Sequence, residues 1–249
     1  LRFTLISMAS PGRDVKLSNN RVIGNRNFIT KLWSANNFLD LNKCKLINKV
    51  SLKNIKLPVN QWIYNEYSNT EKLVTKNIED FRFDEAARII YQFVWHSYCD
   101  WYLEFLKPIF NSKNKANINE ARNFSSFMMS NILKLLHPFI PFFSETVWSK
   151  NAYIKFFKSP LIQANWPVAA KQLNFQKNHQ DIKAIMEIIS NIRSTKNELN
   201  ITPKLYCNII FPKKTNSLKE IINNNIEIIK QTGRVNSRIE IKKNKKNTV

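Results

Sequence analysis

Apolar side chains recur every three to four residues through most of this chain, and that periodicity points to packed helices. Over residues 21–41 the set Phe28, Leu32, Ala35 and Leu39 forms one stripe, with Arg21, Arg26 and Lys31 beside it. A basic connector, 41–57, leads to Pro58, a residue favoured at the first helical position. From there Val59, Trp62, Ile63, Leu73, Val74 and Ile78 predict a second helix. A third starts near Phe83, its first turn favoured by Asp84 and Glu85. Ala86, Ile90, Val94, Ser97, Trp101 and Phe105 share its inner face, and Pro108 with the stretch 111–117 is expected to stop it. A fourth, about 118–136, carries Ile118, Ala121, Phe124, Met128, Ile132 and Leu135. His137-Pro138-Phe139-Ile140-Pro141 breaks the backbone before a short helix to about Lys150.

The pattern changes after residue 158. Leu161–Trp166 reads as extended, 175–199 as a helix with an Ile182, Ile185, Ile189 and Ile192 stripe, and Leu205–Phe211 as a strand. A helix at 216–231, a strand at 234–241 and a disordered tail, Lys242–Lys246, complete the chain. The fold expected is therefore mainly α: an antiparallel helical bundle with a small C-terminal α/β appendage. Its divisions would be 1–57, connector and first helix; 58–158, bundle; and 159–249, α/β segment with basic tail.

Composition narrows the chemistry. Three glycines in 249 residues argue against glycine-rich phosphate loops and tight hairpins. Cys44, Cys99 and Cys207 have neither zinc spacing nor a paired framework, which suits a reducing cytoplasm. No apolar run is long enough to span a bilayer. His96, His137 and His179 stand apart, with His137 read as structural. Asp100 and Glu104, four residues apart on a helix, could do acid/base work but are read as partners for Lys or Arg nearby. The sequon at Asn123 is read as chance. No catalytic residues and no metal ligands are assigned.

Charge is the strongest remaining signal, at net +21. Residues 1–57 carry eleven basic against two acidic side chains, and 213–249 ten against three, while the middle is nearly balanced. Such ends attract polyanions, either nucleic acid or an anionic membrane, although a lysine-rich background composition gives the same sum. On the 21–41 helix, Phe38 lies about 80° from the core stripe at 100° per residue. An aromatic at that edge of a basic helix suits stacking on an unpaired base. It equally suits packing under the 41–57 connector. Trp33, farther off the stripe, is read as core.

Four stretches then resemble one family. "LRFTLISMASPGRDVKLSNNRVIGNRNFITKLWSANNF" is similar to the segment joining the catalytic and anticodon-binding domains of valyl-tRNA synthetases. "FRFDEAARIIYQFVWHSYCDWYLEFLKP", "LLHPFIPFFSETVW" and "NIRSTKNELNITP" follow in the family's order. The third is shared with isoleucyl and leucyl enzymes; Gly12-Arg13-Asp14, Lys31-Leu32-Trp33 and Asp100-Trp101-Tyr102 pull toward valine. The family commonly has Asn and Arg where this chain has Ser34 and Asn37.

The resemblance implies a class I synthetase helical bundle that binds the anticodon arm of tRNA(Val), with neither DNA nor membrane as partner. It implies a parent valine–tRNA ligase using ATP and valine. The His-Ile-Gly-His and Lys-Met-Ser-Lys-Ser signatures and the editing domain are not among these residues, so the chain is expected to be an inactive piece, open at both ends, with no cofactor of its own. Phosphate contacts would come from Arg13, Lys16, Arg21, Arg26 and Lys31, stacking from Phe38, and a second backbone contact from Arg193 and Lys196. Each cation taken singly is as well explained as a solvated helix face. A stand-alone RNA-binding paralogue, the same region of an isoleucyl or leucyl enzyme, and a lysine-rich interaction scaffold remain open.

Overall fold

The computed structural model describes residues 1–10, 12, 14–169, 175–212 and 218–242; Arg13 and the tail after Lys242 lie outside the described residues. The chain divides into two compact units, Leu1–Phe175 and Gln176–Val249. The described residues among 159–175, grouped with the appendage on sequence, thus fall with the helices. The backbone N–H groups of Leu161 and Ile162 donate to the Glu145 carboxylate at 3.0 and 3.2 Å, and Trp166 Nε1 donates to Thr75 Oγ1 at 2.9 Å. In place of an extended 161–166 there is a 3-10 turn, Leu161–Gln163, and then irregular chain.

The first unit is helical among its described residues: α1 (Arg2–Ile6), α2 (Asn19–Leu41), α3 (Pro58–Glu79), α4 (Phe83–Gln92), a π-helical run (Phe93–Tyr102), α5 (Leu103–Phe110), α6 (Lys115–Leu136), α7 (Pro141–Lys150) and α8 (Tyr153–Phe157). Pro58 opens α3 and Pro141 opens α7, where a missing N–H costs nothing. The expected α2 stripe of Phe28, Leu32, Ala35 and Leu39 is buried. So are the large aromatics Trp62, Trp148, Tyr98, Tyr102, Phe105, Phe124 and Phe139, which fill the core.

The α4–π–α5 run departs from the expected phase. Tyr98 and Tyr102 are fully buried where Ser97 and Trp101 were expected, and those two are only half-buried. A π-helix bonds i→i+5, as Leu103 N–H does to Tyr98 O, so its turns hold more residues and the inner face shifts along the sequence. Pro108 does not stop the helix before α5 ends at Phe110; it sits inside α5.

Two side chains of α6 hold the basic connector. Glu120 accepts from Lys56 N at 3.1 Å, Leu57 N at 2.9 Å and Asn60 Nδ2 at 2.9 Å, satisfying donors at the start of α3. Asn60 Oδ1 in turn accepts from the buried Tyr102 hydroxyl at 2.8 Å. Asn123, the sequon residue, accepts from Ile47 N and Asn48 N and donates to Asn48 O.

The second unit contains α9 (Gln176–Glu198), β1 (Cys207–Pro212), α10 (Lys219–Asn224), α11 (Ile226–Gly233) and β2 (Val235–Lys242). The strands pair in parallel, Ile209 opposite Ile239 and Phe211 opposite Ile241. The single helix expected over 216–231 is two, separated at Asn225. Gly233 allows α11 to end close to α9: a Cβ there would lie 3.3 Å from Val235 Cγ2 and 3.4 Å from Ile192 Cδ1. This unit is the small α/β appendage the sequence led us to expect.

Candidate nucleic-acid interface

The C-terminal half of α2 is held in place by its own ending. Lys43 takes a left-handed backbone, φ 58°, and donates to Asp40 O, while Cys44 N–H reaches back to Leu39 O at 2.9 Å. That is a Schellman ending with lysine where glycine is usual. Asn42 closes it from the side chain, Nδ2 donating to Phe38 O at 2.8 Å, and Arg122 Nε of α6 donates to Asn42 O at 2.8 Å. The carbonyls around Phe38 are therefore satisfied and the helix end is fixed.

Phe38 is half-buried, its ring 6.1 Å from that of Phe110 at the end of α5. One side of the ring is backed by an aromatic neighbour, and part of it stays open to a ligand. Trp33, expected in the core, is instead 36% exposed at the other flank of α2. At 100° per residue it sits about 120–140° around the helix from Leu39 and Phe28, so only side-on cover is available to it. Its indole meets Phe143 of α7 edge-on at 6.1 Å, with Lys150 Nζ 4.7 Å above the ring. Between the two flanks runs an open ridge of Arg26, Thr30 and Ser34, with Asn37 half-buried at its edge.

The cations expected to hold phosphate are placed unequally. Lys16, Arg21 and Arg26 are exposed, and Arg26 alone of the three lies on the Trp33–Asn37 side of α2; Arg21 is rotated about 140° from it. Lys31 is engaged, its Nζ 2.5 Å from Asp100 Oδ1 and 3.8 Å from the Trp95 ring centroid. Arg193 is exposed and donates to Thr232 O at 3.2 Å.

Lys196 differs from its expected position facing solvent. It is 7% exposed, and Nζ donates to Leu205 O at 2.8 Å, Gly233 O at 3.2 Å and Arg234 O at 3.0 Å. Fourteen residues on from Ile182 bring the helix back to nearly the same direction, so Lys196 continues the isoleucine stripe rather than opposing it. A phosphate cannot reach an ammonium enclosed in this way.

The groups weighed for other chemistry have structural occupations. Asp100 pairs with Lys31 and lies 3.4 Å from His96 Nδ1, and Glu104 pairs with Lys107 one turn on. His137 Nδ1 lies 2.9 Å from Ser144 Oγ, and burial, the largest influence, holds its pKa below the ordinary value. Burial also pushes the Cys99 thiol up to about 12 and that of Cys44 up to about 11, away from thiolate reactivity. No helix among the described residues is long and apolar enough to cross a membrane.

The chain is similar to valine–tRNA ligases. It is 44% identical to that of Pelagibacter ubique (strain HTCC1062) over 236 residues, covering 94% of this chain and 27% of the relative. The enzyme of Brucella suis biovar 1 (strain 1330) is 43% identical over 204 residues, 81% of this chain and 22% of the relative. That of Rhizobium meliloti (strain 1021) is 37% identical over 236 residues, 94% and 25%. The chain thus spans about a quarter of the length of the curated relatives it matches. A family model, anticodon-binding domain of tRNA ligase, matches residues 60–211, which run from the first turn of α3 through α9 and most of β1. With more than half of its length so matched, the chain belongs to the anticodon-binding domain family of tRNA ligases.

Proposed function

We propose that this chain binds the anticodon arm of a valine tRNA in the cytoplasm, as part of a valine–tRNA ligase. The observation that carries the reading is the half-buried Phe38 on the fixed end of α2, backed by Phe110, in a chain that aligns with a valine–tRNA ligase over 94% of its length. An aromatic ring held from behind offers a face on which an unstacked base gains about 1–3 kcal/mol. Arg26, with Lys16 and Arg21 nearer the start of the helix, supplies phosphate contacts that orient the RNA without reading it. ATP and valine would be handled by other residues of the ligase.

Phe38→Ala is expected to weaken binding of a tRNA(Val) transcript by roughly five- to 150-fold, the equivalent of losing one stacked base. Filter binding with a circular-dichroism control for the fold measures this; unchanged affinity removes the stacking contact. Arg26→Gln should lower the slope of log K against log salt by about 0.7–0.9, one phosphate's worth. A slope equal to that of the parent would leave Arg26 as a solvated charge.

A further inference from the structure

The connector between α2 and α3 carries Lys43, Lys45, Lys49, Lys53 and Lys56, and residues 41–57 contain no carboxylate. All five lysines are exposed, and among the described residues none of them is in an ion pair. Two neighbouring acids are already occupied. Asp40, three residues before Lys43, pairs with Lys150 at 3.1 Å, and Glu120 is taken up by the backbone N–H groups of Lys56 and Leu57. Irregular surface chain usually leaves its backbone to water and is mobile. Here the stretch from Asn42 to Asn48 is bonded to α6 at both ends. Arg122 Nε donates to Asn42 O at 2.8 Å; Asn123 accepts from Ile47 N at 2.9 Å and Asn48 N at 3.3 Å, and donates to Asn48 O at 3.1 Å. Between these anchors burial alternates, with Cys44 buried and Leu46 half-buried while Lys45 and Ile47 are exposed.

Lys43, Lys45 and Lys49 therefore project from a fixed backbone. That backbone starts at Phe38: Lys43 is five residues on, in the turn that Asn42 Nδ2 ties to Phe38 O at 2.8 Å. The dipole of α2 accounts for one cation at its C-terminal end, not for three along the chain that leaves it. Each unneutralised ammonium has three donors for an outside acceptor, and a run of them along one track suits a chain of phosphates. An anionic membrane is the other surface of that charge, but proteins lie in it through amphipathic helices. Residues 42–57 hold only the 3-10 turn Leu52–Asn54, and Ile47 is their one exposed apolar side chain.

We propose that Lys43, Lys45 and Lys49 form a phosphate-binding row that carries the RNA backbone away from the base stacked on Phe38, extending the interface from α2 onto the connector. The inference rests on the RNA-binding reading, and its test keeps the two apart. The full 249-residue chain is titrated with a tRNA(Val) transcript at several salt concentrations, beside three variants checked for fold by circular dichroism. The first replaces Lys43, Lys45 and Lys49 by Gln. The second replaces Lys72, Lys76 and Lys155, equally exposed but outside the connector, by Gln, so that the net charge matches. The third is Phe38→Ala. The connector variant is expected to lower the slope of log K against log salt by about 2.1–2.7, three phosphates' worth, and the control to keep the parent's slope. Phe38→Ala removes a ring and no charge, so affinity falls with the slope retained. If Phe38→Ala binds poorly while the connector variant keeps the parent's slope, the row is refuted and the stacking contact stands. If the control lowers the slope as much as the connector variant does, overall charge is responsible and the row is refuted. A lowered slope confined to the connector variant, with Phe38→Ala matching the parent, supports the row and removes the stacking. Should the connector variant instead lose binding to phosphatidylserine vesicles and keep the parent's tRNA slope, the row belongs to a membrane contact and the proposal falls.

Discussion

Glu120→Ala is expected to lower the stability of the first unit by about 2–4 kcal/mol. One carboxylate accepts from two backbone N–H groups and from Asn60, and hydrogen bonds to a charged acceptor are worth about 1.5–3 kcal/mol net. Its removal leaves Asn60, which is fully buried, with an unpaired amide beneath Tyr102. Glu120→Gln, which keeps an acceptor oxygen, should lose roughly half as much. All six tryptophans lie within residues 33–166, so fluorescence-detected urea unfolding follows this unit alone. A midpoint within error of the parent would mean that solvent replaces the carboxylate at the start of α3 without loss.

Lys196→Met should destabilise the second unit by about 2–3 kcal/mol. The substitution keeps most of the volume and removes the donor shared by three carbonyls, and unpaired buried acceptors cost about 1–3 kcal/mol. Two of those acceptors, Gly233 and Arg234, close α11 and lead into β2; Arg234 is itself left-handed, φ 52°, and its carbonyl also accepts from Cys207 N. Native-state hydrogen exchange resolves the unit, with amides of β1 and β2 expected to exchange roughly 30- to 150-fold faster. Unchanged exchange together with a reduced salt slope for RNA binding would reverse the assignment and make Lys196 a phosphate contact.

Helix existence was legible because burial and the 3.6-residue period coincide: the α2 stripe follows from side-chain spacing, and the start of α3 from Pro58. The phase inside the third helix was not, since Tyr98 and Tyr102 are large aromatics as Trp101 is, and no residue type announces an i→i+5 turn. Lys196 was misplaced for a related reason. Its charge argued for solvent, and only the three carbonyls gathered from distant segments explain why an ammonium can occupy the stripe of Ile182 and Ile189. In the candidate site, Phe38 could be picked out by its angle from the core. Trp33 and Lys150 could not, because their meeting depends on where α7 packs, 113 residues away in the bond from Lys150 to Asn37.

The wide turns between Phe93 and Tyr102 also act as a spacer in rotation. α5 emerges from them at an azimuth set by how many residues they absorb, each turning the chain by less than the about 100° of an α-helical residue. Phe110 backs Phe38 only because that angle is right. The aromatic shelf offered to a base is therefore metered a helix-length upstream, by winding rather than by any residue that touches it.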